Sequence, residues 1–253
     1  MINDMTDAEL IVRSSIQVFL ADAKNPKPEG FGSGCIIEYL NRKFFVSVSH
    51  VTDLGDLTTF LETNLPFDER GPILQPVGGI CYFDQLKVTK EMNLEDFEAM
   101  LEKGKRLDIC FSELKEPITL LQPETDFIAF KVPESNKLTL FIDDAVMPVK
   151  DERYGFYGKI RHDYEGNKLK MTSTFKHSLK YHRSQDHFHI FLAPKFIKDK
   201  GDYEGCSGAP ILDSQGRIVA LACAIRTGTT MIYGFSIQEC KRLLDYALQM
   251  GMH

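Results

Sequence analysis

Short runs rich in β-branched and aromatic residues recur along most of the chain and limit its fold more than any other feature. They are SSIQVFL, SGCIIEYL, KFFVSVSHV, GGICYFDQLKV, LDICFSEL, DFIAFKV, RYGFYGKI, HFHIFLA, APILD, RIVALACAI and MIYGFSI. Glycine, proline, asparagine and aspartate separate many of these runs, as expected for strands that are joined by turns. Because helical patterns do not alternate with the runs, the sequence predicts an all-β barrel or sandwich.

Three helical patterns interrupt the strands. Thr6 and Glu9 have the spacing of a capping box, which predicts a short helix near the N-terminus. The run NLEDFEAMLEKGK predicts a helical insertion near residues 93–104. Ser236 and Glu239 form a second S-x-x-E box ahead of CKRLLDYALQMG, and this pattern predicts a C-terminal helix with one apolar face.

Length and composition allow one large domain or two small ones. The chain has 253 residues, of which 43% are hydrophobic and 26% are charged, and domains usually contain about 100–200 residues. We place the best boundary in PVKDE, which divides the chain into residues 1–147 and 148–253. The net charge of -6 offers no positive field to nucleic acid or to an anionic membrane, so neither is an expected partner.

The N-terminus and the cysteines bear on the cellular location. MINDMTDAEL carries acids where a signal peptide needs positive charge and an apolar block, and no later apolar run approaches the roughly 20 residues of a spanning helix. Six cysteines are too few for a disulfide scaffold of this size. We therefore expect a cytoplasmic protein with reduced and mostly buried thiols.

The stretch EGCSGAPIL places Ser207 in a glycine-containing turn just before an apolar strand. A nucleophilic hydroxyl needs such a turn, because its own N–H and a neighbouring N–H must both point at the oxyanion that develops during attack. Gly205 and Gly208 allow this backbone, and Pro210 leads into the strand. A plain turn fits the same residues, so this motif alone leaves both interpretations open.

A histidine with a less common context lies upstream. The segment GSGCIIEYLNRKFFVSVSHVTD places His50 at the end of an apolar strand, which follows another strand opened by Gly32-Ser33-Gly34. Together with the serine turn, these motifs resemble the chymotrypsin/trypsin-like serine peptidase superfamily. Its members carry a G-S-G-like opening, a V-[ST]-A-x-H-like strand and a G-D-S-G-G-P-like turn. The resemblance runs from about Ser14 to the final helix.

The resemblance implies a catalytic aspartate at the start of a buried strand between the histidine and the serine. RLDICFSEL offers Asp108, and TDFIAFKV offers Asp126. We favour Asp108, because the small Cys110 two places on lets the carboxylate tuck under the imidazole. Asp126 stays open as the second candidate.

The resemblance also implies a role for each residue. Ser207 attacks a carbonyl carbon, His50 takes and returns the proton, and Asp108 fixes the histidine tautomer. The N–H groups of Gly205 and Ser207 hold the oxyanion.

In this superfamily, the segment ahead of the serine and the strand after it line the pocket for the residue before the scissile bond. The resemblance assigns the wall of that substrate-binding pocket to Ala222, Cys223 and Ala224, which are small and apolar. Asp202 and Glu204 would attract a basic side chain if either pointed inward.

Two other nucleophilic arrangements fit the sequence less well. Cys206 could act as in viral cysteine relatives of the fold, but those have glycine directly after the nucleophile, and here Ser207 follows. An α/β-hydrolase places its serine before both the acid and the histidine, and only the terminal His253 follows Ser207.

The segment HSLKYHRSQDHFHIF raises a metal hypothesis, because His187 and His189 are two apart on a predicted strand and face the same way. No C-x-x-C or H-x-x-x-H partner lies nearby to complete a coordination sphere. We therefore favour a half-exposed strand and expect no metal.

These observations predict a trypsin-like double six-stranded β-barrel that is closed by a C-terminal helix. The chain is expected to be a serine endopeptidase that acts on polypeptide substrates without a metal or cofactor. A regulatory protein partner or a conformational gate would restrain it. The alternative is a catalytically silent barrel that binds peptides or proteins.

Overall fold

A computed structural model describes most of the chain, namely residues 5–22, 24–65, 73–85, 104–144, 146–166 and 168–251. The predicted helical insertion near residues 93–104 lies outside these residues, apart from Gly104 at its end. Among the described residues, no helix is long and apolar enough to cross a membrane.

The first half of the chain forms an eight-stranded sheet. Its strands are β1 (Ile16–Asp22), β2 (Asn25–Tyr39), β3 (Arg42–Ser47), β4 (Thr58–Glu62), β5 (Leu74–Pro76), β6 (Cys81–Gln85), β7 (Lys105–Glu113) and, after four two-residue strands, β12 (Thr139–Phe141). The strand order is β5-β4-β1-β2-β3-β7-β6, and β12 pairs in parallel with β2. The two-residue strands between β7 and β12 are β8 (Leu121–Gln122), β9 (Thr125–Asp126), β10 (Lys131–Val132) and β11 (Ser135–Asn136).

The second half forms a closed six-stranded barrel in the order β13-β14-β15-β18-β17-β16. Its strands are β13 (Tyr154–Glu165), β14 (Lys168–Gln185), β15 (Phe188–Leu192), β16 (Pro210–Asp213), β17 (Ile218–Ile225) and β18 (Met231–Ser236). Every neighbouring pair in the barrel is antiparallel. The PVKDE segment lies between the last strand of the first sheet and the first strand of this barrel.

In the described residues, three α-helices accompany the strands: α1 (Asp7–Ser14), α2 (Ser49–Thr52) and α3 (Ile237–Gln249). The predicted capping box of α1 is present, since Thr6 and Glu9 each accept a hydrogen bond from the other's backbone N–H. At α3 the predicted box is wrong: Ser236 is the N-cap residue, but its hydroxyl donates to Gln238 Oε1 instead of capping the helix. The C-terminal helix itself is confirmed.

The apolar core explains why these runs become strands. Phe44 and Phe45 of β3 are completely buried, as is Phe235 of β18. One buried cluster joins residues of the first sheet to Leu221 and to the apolar face of α3, and a second cluster fills the closed barrel. Burial of this apolar surface is the main stabilising contribution to such a fold.

The N-terminal helix packs on the second half of the chain, and the C-terminal helix packs on the first half. Ile11 of α1 lies against Gly155 of β13, and Leu10 lies against Gly216 beside the β16–β17 turn. At the other end, Lys241 of α3 donates to the Tyr39 hydroxyl at 2.7 Å, and that hydroxyl also donates to Asp245. The two halves are therefore held together by both termini as well as by the shared core.

Candidate active site

His50 and Asp108 lie side by side in the first half of the structure. His50 stands in α2 directly after β3, and Asp108 stands in β7, the strand that pairs with β3. His50 Nδ1 is 2.8 Å from Asp108 Oδ1 and 2.9 Å from Oδ2. The His50 N–H and the Ser49 hydroxyl also donate to Oδ1, each at 3.2 Å. The carboxylate thus holds both the ring and the backbone of the histidine.

Asp126, the second candidate acid, lies elsewhere. It is in the short β9, its side chain is 76% exposed, and it forms an ion pair at 3.8 Å with Lys131. The structure therefore brings Asp108, and not Asp126, to His50.

Ser207 lies in a tight turn that precedes β16. The Cys206 N–H donates to the Tyr203 carbonyl at 2.9 Å, and the Gly208 N–H donates to the Ala222 carbonyl at 2.7 Å. Gly205 and Gly208 have φ angles of +104° and +89°, a region that L side chains rarely adopt. Position 205 also requires glycine for steric reasons, because a Cβ there would lie 2.3 Å from the Lys159 carbonyl oxygen.

Two backbone donors in this turn are unused. The N–H groups of Gly205 and Ser207 have no hydrogen-bond partner among the residues that the structure describes. The Cys206 carbonyl belongs to the same peptide group as the Ser207 N–H. It accepts a hydrogen bond from the Ala209 N–H at 3.0 Å. Free and fixed donors beside a hydroxyl are what an oxyanion hole requires.

Ser33 holds the turn from the opposite half of the chain. Its N–H donates to the Ser207 carbonyl at 2.7 Å, and its hydroxyl donates to the Gly205 carbonyl at 2.8 Å. The Ser47 hydroxyl in turn donates to the Ser33 carbonyl at 2.7 Å. Sequence reasoning noted the Gly32-Ser33-Gly34 opening but assigned Ser33 no role, because a contact across this sequence distance leaves no local signal.

Ser207 and His50 line one cleft but are not hydrogen-bonded to each other. The cleft has a volume of about 330 Å³. The Ser207 hydroxyl donates at 3.5 Å to the Cys223 carbonyl, and within the described residues no bond joins it to His50. Catalytic hydrogen bonds are often long or poorly aligned without substrate, so this geometry is compatible with a nucleophile and its base.

The walls of the cleft are mainly apolar. The predicted wall residues Ala222, Cys223 and Ala224 line it, as do Phe156 and Ile232. These side chains favour an apolar guest, since burying apolar surface is favourable and burying an unpaired charge is costly.

The two acids suggested for binding a basic side chain have other partners. Asp202 receives a hydrogen bond from Arg161 at 2.7 Å and is not among the cleft residues. Glu204 lies at the cleft, but its side chain is 66% exposed and lies 3.9 Å from Lys200. Neither places an unpaired buried carboxylate in the cleft.

Burial affects two ionisable groups beside the turn. It raises the pKa of the Cys206 thiol to about 12, so this cysteine is not a thiolate at neutral pH and is a poor nucleophile. His162 stacks on Phe31 with ring centroids 4.0 Å apart, close behind Gly205. Burial, followed by the nearby Lys159 charge, lowers the pKa of His162 to about 4, so this ring is neutral under ordinary conditions.

His187 and His189 each have separate partners. His187 Nδ1 lies 3.3 Å from Glu239 Oε2, while His189 lies between the Ser184 hydroxyl at 2.8 Å and the Gln238 amide oxygen at 3.3 Å. In the described ranges, no group of three or more histidine, cysteine or acidic side chains is arranged to hold a metal ion.

Comparison with known proteins identifies the fold. No protein-family model and no curated protein sequence matches the chain. Among solved structures, the serine endoprotease from Yersinia pestis superposes with a TM-score of 0.55 at 11% identity, covering 98% of this chain and 68% of its own. Human heparin binding protein superposes with a TM-score of 0.54 at 10% identity, covering 96% of this chain and 93% of its own.

The chain has the trypsin-like double-barrel fold. The fold prediction is thereby confirmed, with a C-terminal helix as expected. At these identities the superpositions establish the trypsin-like architecture only, and the chemistry must be argued from the residues of the cleft.

Proposed function

We propose that this chain is a serine endopeptidase in which Ser207 is the nucleophile. The observation that carries the proposal is the contact between His50 and Asp108 at the edge of the same cleft as Ser207. The two unused N–H groups of the serine turn support it, because an oxyanion needs donors that are already oriented. The trypsin-like fold is consistent with this reaction class, and one solved structure that shares the fold is a serine endoprotease from Yersinia pestis.

The proposed reaction follows from these contacts. Asp108 accepts the Nδ1–H of His50, which leaves Nε2 free to take the Ser207 proton as the oxygen attacks the carbonyl carbon. The carbonyl oxygen becomes an anion and is held by the N–H groups of Gly205 and Ser207. His50 then gives the proton to the departing amine, and a water molecule releases the acyl group by the same steps in reverse order.

The apolar wall defines the substrate class within this proposal. We expect an apolar side chain before the scissile bond, because Phe156, Ala222 and Ile232 surround the space beside Ser207. Ala224 lies beyond the last residue of β17 that pairs with β16, so its backbone can bind an extended peptide on that side.

A fluorophosphonate probe tests the proposal directly. The probe should label the intact protein at Ser207, as located by peptide mass spectrometry, and Ser207→Ala and His50→Ala should each abolish labelling. Both side chains lie at the cleft, so the variants should unfold at the same temperature as the parent. Labelling that survives Ser207→Ala contradicts the assignment of the nucleophile.

A peptide-binding or protein-binding module is the second candidate. It is favoured by the Ser207 hydroxyl, which donates to the Cys223 carbonyl and not to His50. One structural neighbour is also named for binding heparin rather than for cleaving a substrate. Absence of labelling with every probe, together with unchanged ligand binding by Ser207→Ala, supports this module.

A further inference from the structure

A second groove opens where two strands of the closed barrel separate. β14 and β15 are paired from Gln185 and Phe188 to Lys180 and Leu192. After Leu192 the pairing with β14 ends, while the N–H of Ala193 still donates to the Thr230 carbonyl beside β18 at 2.8 Å. The resulting space, of about 790 Å³, lies between residues 175–179 of β14 and residues 193–198. We call it the β14 groove.

One wall of the β14 groove is an open strand edge. Among the described strands, the partner of β14 from Lys168 to Leu179 is β13. In the portion of the chain that the structure describes, the opposite edge of this stretch pairs with no other strand. Such an edge can accept an extended segment, whose backbone then supplies the hydrogen bonds of one more strand.

The charge of the β14 groove is positive although the whole chain carries -6. Lys176, Lys195 and Lys198 line it, and in the described ranges none of them has an ion-pair partner. Asp202 is the acid at this groove, and it is already paired with Arg161 at 2.7 Å. Lys195 and Lys198 therefore present unpaired charge to an incoming segment, while Lys176 also experiences the charge of Asp202.

The β14 groove also offers apolar surface. Phe196 is 68% exposed and lines the groove together with the half-buried Phe175. An exposed aromatic side chain among unpaired lysines suits a segment that carries both carboxylates and an apolar residue. Burial lowers the pKa of Lys176, and a carboxylate close to it would oppose that effect.

Tyr203 connects the β14 groove with the cleft. It lines both spaces. The Lys176 ammonium lies 4.2 Å from the centre of the Tyr203 ring. The Tyr203 carbonyl accepts a hydrogen bond from the Cys206 N–H at 2.9 Å. A ligand that draws Lys176 away from this ring acts on the residue that supports the serine turn.

We propose that the β14 groove binds an extended acidic segment of another protein, and that its occupation changes the reactivity of Ser207 through Tyr203. The binding part stands on the groove alone, whereas the coupling part rests on the proposed function. An acidic segment fits the unpaired lysines and the open strand edge together.

Binding can be measured with a fluorescein-labelled synthetic peptide that alternates glutamate and phenylalanine. We expect its anisotropy to rise on addition of the intact protein, and the affinity to fall with increasing salt. The double variant Lys195→Glu, Lys198→Glu should weaken binding by about tenfold or more, since each lost attraction also becomes a repulsion. The matched control, Lys115→Glu, Lys150→Glu, reverses two exposed lysines outside the groove and should bind like the parent.

Two further ligands test whether the groove selects acidic charge and whether it selects a peptide. A peptide that alternates lysine and phenylalanine and a single-stranded oligonucleotide should both bind at least tenfold more weakly. The proposal is overturned if the basic peptide or the oligonucleotide binds as tightly as the acidic peptide. It is also overturned if the parent and the groove variant, Lys195→Glu, Lys198→Glu, bind the acidic peptide with equal affinity. The oligonucleotide result would assign the groove to nucleic acid instead.

Coupling is read from the rate at which the fluorophosphonate labels Ser207. We expect saturating acidic peptide to change this rate in the parent but not in the groove variant. Binding that leaves the rate unchanged refutes the connection through Tyr203. If Ser207 is never labelled, the proposed function fails, while anisotropy still decides whether the groove binds the acidic peptide.

Discussion

Ser33→Ala is the sharpest test of how the serine turn is held. The hydroxyl that this substitution removes is buried and donates at 2.8 Å to the Gly205 carbonyl. The N–H of the same Gly205 is one of the two proposed oxyanion donors. A buried acceptor that loses its partner costs about 1–3 kcal/mol. Every 1.36 kcal/mol corresponds to a tenfold change, so the population of the correctly shaped turn falls by at most about 5-fold to 150-fold. The Ser33 N–H still donates to the Ser207 carbonyl, so the turn should weaken without collapsing.

The assay compares kcat and KM on a peptide ester with an apolar residue before the scissile bond, together with the unfolding free energy. We expect kcat to fall within the stated range and KM to stay nearly unchanged, because the loss affects the oxyanion and not the apolar wall. Ser112→Ala is the matched control: it also removes a buried hydroxyl, which donates to the Val77 carbonyl at 3.1 Å, away from the cleft. If both variants lose similar stability and both retain the parent kcat, the reasoning about Ser33 is refuted.

Three further predictions concern the acid, the turn and a buried lysine. Asp108→Asn should lower kcat by roughly 10⁴ because it favours the wrong histidine tautomer, whereas Asp126→Asn should change kcat less than twofold; the reverse ranking would contradict the role of Asp108. Gly208→Ala should destabilise the fold by about 3 kcal/mol or more, because its Cβ would lie 2.0 Å from the Ser33 carbonyl oxygen, and an unchanged melting temperature would contradict this. Burial lowers the pKa of Lys137 from 10.5 to about 7, so the unfolded state binds the proton more tightly. Unfolding free energies should show the parent gaining a few kcal/mol relative to Lys137→Met between about pH 7 and pH 10.5; a flat difference would show that this pKa is not lowered.

Local patterns predicted much of the architecture. The β-rich class followed from strand-like runs, and the start of α1 followed from Thr6 and Glu9, whose reciprocal bonds are made within one turn. The same pattern at Ser236 predicted the helix but not its cap, because Gln238 lies within reach and competes for the hydroxyl. A motif can therefore mark where an element begins without specifying which partner its side chain binds.

The candidate site shows the same division between local and distant information. Preference for Asp108 came from the small residue two places on, and Asp108 lies against His50 in the structure. The sequence could not show where the Asp202 carboxylate points, because it binds Arg161, which lies in β13 and is distant in the chain. Ser33 escaped notice for the same reason, as its partner is the turn in the opposite half.

The packing of each terminus on the opposite half has a consequence for the order in which the chain is synthesised. α1 leaves the ribosome early, but Leu10 and Ile11 find their buried positions only when Gly216 and Gly155 have been made. Ser33 likewise waits for the turn at Gly205. A nascent chain therefore lacks both the support of the serine turn and the packing of α1 until Gly216, just after β16, has been made. The proposed nucleophile is also made before Ala222 and Ile232 of the cleft wall, so a chain that ends at the serine turn has no complete cleft.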